Sequence, residues 1–93
     1  MIRNPEVGKV YQSSVELWLI PVDRNLDGYP YTRGNLKADE PFMVVSSEHV
    51  TKYGVAELEH RFMLLTANDL LWYYARLPAD GIVKCESWRN LQP

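Results

Sequence analysis

The residues best suited to metal chemistry lie between positions 21 and 36, in a stretch rich in turn-forming residues. Residues 23–28 read Asp-Arg-Asn-Leu-Asp-Gly, which places oxygen-bearing side chains at alternate positions before a glycine. Calcium loops begin in this way, because Asp23, Asn25 and Asp27 can converge on one ion while the glycine permits a sharp turn. The twelfth position of the pattern is a glycine instead of a bidentate Glu. A turn held by Asx side chains is therefore the preferred interpretation, and a calcium loop is the alternative.

The same stretch carries two aromatic and two cationic side chains, which are Tyr29, Tyr31, Arg24 and Arg33. Tyr and Arg are enriched at the energetic centres of protein interfaces, and aromatic rings with Arg also stack on nucleic-acid bases. Long loops tend to carry function. We therefore predict that these four residues bind a partner. In the alternative interpretation, the tyrosines fold back and cap one end of the core.

Three side chains could ligate zinc or support nucleophilic catalysis, namely His49, His60 and Cys85. They show none of the paired spacings that zinc sites have, and a Cys–His pair would require proximity in the folded chain. The sequence also has no Gly-rich phosphate loop and no nucleophile elbow. We predict two surface histidines, a buried thiol and a non-enzymatic protein without a cofactor.

Composition restricts the partners that the chain can have. The sequence has 93 residues, consistent with one domain over 1–93, and a formal net charge of −2. Nucleic-acid binding draws on a surplus of Lys and Arg, which is absent overall. No apolar run reaches the roughly 18 residues of a membrane span. A single cysteine fits a reducing compartment, so we expect a cytoplasmic location.

The densest apolar run, residues 62–74, must position much of the core, and it has two interpretations. In the first, Arg61–Thr66 and Leu70–Leu77 are antiparallel strands joined near the turn-forming residues 68–69. In the second, Thr66 caps a helix over 67–77, with Asp69 completing a capping box and a proline ending it. Periodicity does not separate them. The aromatic content of residues 70–74 favours the hairpin.

The remaining pattern predicts further strands over Val10–Ile20, Phe42–Val45, Val55–Leu65 and Ile82–Trp88, with a polar segment over 46–55. Gly54 and residues 79–81 are the expected turns. The fold class predicted is mainly β, as a single small barrel of about five antiparallel strands with a long first loop. An α+β fold with a helix at 67–77 is the alternative.

The hairpin interpretation places Trp72 and Tyr74 on one face with Leu70 and Arg76, and Leu71, Tyr73, Ala75 and Leu77 on the other. Both faces are more apolar than one small core requires. One of them is therefore expected to form an exposed patch for a partner or a second copy, unless terminal segments cover it.

Three segments together resemble the layout of SH3-like small barrels. Residues 7–11 (Val-Gly-Lys-Val-Tyr) and 36–45 look like the opening and second strands, and residues 64–73 look like the central hairpin. Short chains of this appearance resemble uncharacterised SH3-like proteins of tailed bacteriophages. The 23–31 loop departs from the aromatic-acidic pattern of peptide-binding SH3 domains, so proline-peptide binding is not implied.

These patterns favour a protein-interaction module, as in a phage accessory protein that binds a host or structural protein. The predicted contacts come from the 29–33 loop and the face around Trp72. A nucleic-acid-binding barrel, in which Arg24 and Arg33 contact phosphate, is one alternative, and the acidic balance opposes it. Self-association through the apolar surface is the other.

Overall fold

The computed structural model describes residues 2–21, 34–51, 58–76 and 79–91 of the chain. Within these ranges every regular element is a β-strand, so the predicted mainly-β class is confirmed. The strands in chain order are β1 (Ile2–Arg3), β2 (Val10–Ser13), β3 (Leu17–Pro21), β4 (Gly34–Leu36), β5 (Pro41–Thr51), β6 (Leu58–Leu65), β7 (Leu70–Arg76), β8 (Lys84–Cys85) and β9 (Trp88–Asn90). The alternative of a helix over 67–77 is wrong, because β7 occupies most of it.

The described strands form two antiparallel sheets. The larger has seven strands in the order β4-β3-β7-β6-β5-β2-β9, and the smaller pairs β1 with β8. The main sheet curls in a way that is compatible with a small β-barrel. There are more strands than the five predicted, because the 10–20 segment breaks at a bend after Ser13 and the 82–88 segment breaks at a turn over Glu86 and Ser87. The short strands β1 and β4 were not predicted and account for the rest.

The central hairpin is held by the side chain of Thr66, which forms a turn and does not cap a helix. The Thr66 hydroxyl accepts hydrogen bonds from the backbone N–H groups of Asn68 (3.3 Å) and Asp69 (3.1 Å). The Thr66 N–H donates to the Asp69 carbonyl at 2.9 Å, which closes the loop between β6 and β7. Ser and Thr side chains stabilise turns in this way by replacing backbone partners. The predicted hairpin is therefore confirmed.

Strand β5 is longer than the predicted strand over Phe42–Val45 and runs on through the polar residues 46–51. Its register with β6 shifts between Val44 and Ser46, so Val45 is an extra residue in the ladder. Such a bulge lets the strand continue while its side chains are re-aimed. Beyond the bulge, the backbone of β6 pairs with β5 as far as Thr51. The predicted strand over Phe42–Val45 is therefore too short, because backbone pairing with β6 extends β5 through the polar residues that follow.

The core lies on the inner face of the main sheet. Alternate residues of the central strands are buried there, including Leu19, Val44, Phe62 and Leu64. An aromatic group fills the space between the strands, with Trp88 packed edge-on against Phe42 at a centroid distance of 4.7 Å. The rings of Tyr11 and Tyr73 contact the same indole.

The small β1–β8 sheet belongs to this inner side. Val83 and Cys85 are part of the buried core cluster, and Ile2 packs against it. Asn4 links the two terminal segments, since its N–H donates to the Val83 carbonyl at 2.8 Å and its side-chain oxygen accepts from the Val83 N–H at 2.9 Å. The described terminal strands therefore pack on the core face of the main sheet and not on the opposite face.

Across the described parts of the chain, no helix has the length and apolar character needed to cross a membrane.

Candidate functional site

The face of the main sheet opposite the core carries several apolar side chains on adjacent strands. Strand register aligns Ile20, Trp72 and Met63 across β3, β7 and β6, and it places Leu65 opposite Leu70. Trp18 points to this face because it lies two residues before Ile20 in the same strand. We call this group the outer patch; its members are Trp18, Ile20, Met63, Leu65, Leu70 and Trp72.

Part of the outer patch is open to solvent. Trp18 is 60% exposed, Leu65 43% and Leu70 37%. An indole exposed to this extent is uncommon, because Trp is highly buried on average in folded proteins. Its neighbours in the patch are also apolar, so the surface matches the kind of apolar area that marks interaction sites. The predicted exposed face of the hairpin is the one that contains Trp72.

Arg61 lies at the centre of this face and covers Trp72. The guanidinium carbon stands 4.1 Å from the centre of the indole ring, in cation–π geometry. The same group forms an ion pair with Glu48 on the neighbouring strand. Burial lowers the pKa of Arg61, but the interactions with Tyr74 and Glu48 more than offset this and raise it. As a result Trp72 is only 8% exposed, although its side chain points away from the core.

The two hairpin residues predicted to bind a partner differ in exposure. Trp72 is buried beneath the guanidinium of Arg61, whereas Tyr74, the cross-strand partner of Arg61, is half-buried. The predicted loop contacts Arg24, Tyr29, Tyr31 and Arg33 lie outside the described residues. So do the calcium-loop candidates Asp23, Asn25 and Asp27. These remain predictions from the sequence.

A second group of functional side chains lies on the inner face, at the far end of the β5–β6 pair. His49 and His60 are direct cross-strand partners, with ring centroids 4.6 Å apart and an interplanar angle of 72°. His60 also stacks on the core residue Phe62, at a centroid distance of 4.4 Å. His49 is exposed and His60 is half-buried, and β5 and β6 bring the two imidazoles together, which the sequence did not predict.

The two ring nitrogens of His60 have different surroundings. Nε2 is 2.6 Å from the Ser47 hydroxyl, whereas Nδ1 is buried without a hydrogen-bond partner. Burial lowers the pKa of His60, and the nearby His49 lowers it further, so the imidazole is predominantly neutral near pH 7. Ser47 and His60 have the spacing of a nucleophile and its base. Among the described residues, no carboxylate contacts Nδ1 to complete a triad.

Cys85 is separate from the histidines and matches the predicted buried thiol. It is free, lies in the core cluster and is 4% exposed. Burial raises the pKa of its thiol to about 12, which suppresses the reactive thiolate. Within the part of the chain that the structure describes, no three His, Cys, Asp or Glu side chains form a group that could hold a metal ion.

The sequence contains a signal for the histidine pair. His49 and His60 are almost equally distant from Gly54, which we predicted to be a turn. Two residues placed symmetrically about a hairpin turn become cross-strand neighbours. A strand that continues through residues 46–51 would have predicted this pair. The polar composition of that segment argued against such a strand.

Comparison of the chain with known proteins finds no matching family model, no similar curated protein and no similar solved structure.

Proposed function

We propose that this protein is a non-enzymatic interaction module that binds another protein through its outer patch. The observation that carries the proposal is the exposed indole of Trp18, which is 60% accessible beside further apolar side chains on one sheet face. Aromatic residues supply much of the binding energy at protein interfaces. An apolar pocket on the partner would remove this indole from water.

The charges of this face favour a protein partner over a nucleic acid. Arg61, at its centre, is already paired with Glu48 and lies on the Trp72 ring. Its positive charge is therefore largely engaged within the protein, and the whole chain carries a formal net charge of −2. Phosphate backbones require several free cations. A planar Arg stacked on Trp is instead a common component of a protein interface.

The finer hypotheses from the sequence belong to the same proposal. An SH3-like barrel encoded by a tailed bacteriophage would use this surface to engage a host or structural protein in the host cytoplasm. Contacts from the 29–33 loop would add to those of the outer patch. Self-association through the same apolar residues is the competing outcome, and it is distinguished by the mass of the complex that forms.

Substitution of Trp18 by Ala tests the proposal. The tagged protein is used to capture partners from an extract of the encoding organism, and the affinity is then measured with each purified partner. Trp18→Ala is expected to weaken binding at least about tenfold, because truncating a central aromatic residue costs about 2 kcal/mol or more. Leu70→Ser, on the same face, should also weaken it.

Val15→Ala provides the matched control. Val15 is 52% exposed and lies in the bend between β2 and β3, which contributes no residue to the outer patch. Its truncation should leave affinity unchanged. Equal affinities for wild type and Trp18→Ala, with both proteins folded by circular dichroism, would exclude the outer patch as the binding surface.

A further inference from the structure

The paired histidines of β5 and β6 carry an inference that is independent of the outer patch, since they lie on the other face of the sheet. We propose that His49 and His60 bind a divalent transition-metal ion, of the zinc, copper or nickel class, by coordinating it between their imidazole rings. Water or a ligand from outside would complete the coordination. Neutral imidazole is a preferred ligand for these ions.

The separation of the rings fits one shared ion. A zinc ion about 2.0–2.1 Å from a ring nitrogen lies about 3.2 Å from the centre of that ring. Two imidazoles at about 90–110° around the ion then have centres about 4.5–5.2 Å apart. The centroids of His49 and His60 are 4.6 Å apart. Their interplanar angle of 72° also differs from a parallel stack, in which both rings could not direct a nitrogen at one ion.

The environment of His60 is prepared for ligation. Metal-bound histidines usually donate their second N–H to an oxygen, which fixes the tautomer and the ring orientation. In the tautomer whose Nε2–H donates to Ser47 Oγ, across 2.6 Å, Nδ1 keeps a lone pair. That nitrogen is buried and has no hydrogen-bond partner. Stacking on Phe62 at 4.4 Å further restricts the ring. Ser47 is thus a positioning residue, and Nδ1 is the nitrogen that the ion would satisfy.

The composition of the site predicts which ions bind. Two imidazoles without a described carboxylate or thiolate favour copper, nickel and zinc over magnesium and calcium, which require oxygen ligands. Along the divalent series, copper should bind most tightly. With two protein ligands, the coordination sphere stays open to an additional group.

Titration of the full chain with Zn²⁺ tests this inference. Long-range ¹H–¹⁵N NMR spectra follow the imidazole nitrogens, and calorimetry gives the affinity. Saturable binding with one ion per chain is expected, with a large shift of His60 Nδ1. His49→Asn should weaken binding at least about tenfold, because the second ligand then acts without a tethered partner. Ser47→Ala should weaken it about tenfold or more, as expected on losing an orienting hydrogen bond.

Two further variants keep the test decisive. Cys85→Ser should bind Zn²⁺ as tightly as wild type, because the thiol is in the core, away from the pair. His60→Phe retains an aromatic ring on Phe62 and should fold while losing the ion, which thermal unfolding with and without Zn²⁺ detects. The inference is overturned if wild type shows no saturable binding, if His49→Asn binds equally well, or if Cys85→Ser loses the ion.

Discussion

Trp72 is buried although its side chain points away from the core, and Arg61 is the main reason. The guanidinium covers the indole at 4.1 Å and is itself paired with Glu48. Arg side chains contribute packing as well as charge, because their apolar stems and planar heads cover neighbouring surface. No sequence pattern indicated this arrangement, since Glu48, Arg61 and Trp72 come from three different strands.

His60 provides a test at the scale of a single side chain. Burial and the neighbouring His49 hold its pKa in the folded state below its ordinary value. In the unfolded chain the pKa of this histidine is about 6.5, so its imidazole binds a proton more tightly there than in the folded protein. The stability associated with neutral His60 is fully present above about pH 6.5 and is lost as the pH falls toward the folded-state pKa.

We therefore expect wild type to lose more unfolding free energy than His60→Gln between about pH 7.5 and about pH 5.5. Denaturant titrations in the presence of EDTA measure both proteins without metal. Parallel pH profiles for the two proteins would show that His60 is not destabilised as a cation in the folded chain.

At the scale of the element, the hairpin of β6 and β7 shows what a sequence can and cannot determine. The residues of the turn were predictable, because Thr66, Asn68 and Asp69 all stabilise turns. The same Thr66 also fits a helix N-cap. The choice depends on β3 and β5, which pair with β7 and β6 and so supply long-range backbone partners. Local propensity contains no information about those neighbours.

Thr66→Ala should destabilise the protein by about 1 kcal/mol, because the N–H groups of Asn68 and Asp69 lose the oxygen that they share. Thr66→Ser keeps that oxygen and should cost much less. Thermal and denaturant unfolding compare the two variants. Equal losses would mean that the methyl group, and not the hydroxyl, stabilises the turn.

The bulge at Val45 is the element that the sequence could not reveal. It separates the apolar first half of β5 from a polar second half, and the register with β6 changes there. Simple alternation from Val44 would place Ser47 and His49 on the opposite face from Val44, and the extra residue at Val45 returns both of them to the inner face. The pairing of His49 with His60 fixes their face directly.

At the scale of the whole molecule, the division into an inner and an outer face organises both the fold and the proposed function. Composition and alternation were enough to predict a small, mainly β protein and a hairpin with two apolar faces. Which face the described terminal strands cover depends on how β1 and β8 pack, and this is a long-range property. Ile2, Val83 and Cys85 settle it by joining the core side.

Leu64 and Leu65 are adjacent residues on opposite faces and so test that division. Leu64 is fully buried, whereas Leu65 is 43% exposed. Leu64→Ala should cost about 3 kcal/mol of unfolding free energy, as for other cavities in cores. Leu65→Ala should cost less than about 1 kcal/mol. Similar losses for the two variants would contradict the assignment of the faces.

The central claim is that the outer patch contacts a protein partner, and site-specific photo-cross-linking measures this most directly. A photoreactive phenylalanine analogue replaces Trp18 in one sample and the exposed Val15 in another, and both are irradiated in extract. We predict a covalent adduct with one partner protein from position 18 that is absent from position 15 and is lost with Leu70→Ser. The absence of an adduct at position 18, or the same adducts from both positions, would contradict the account.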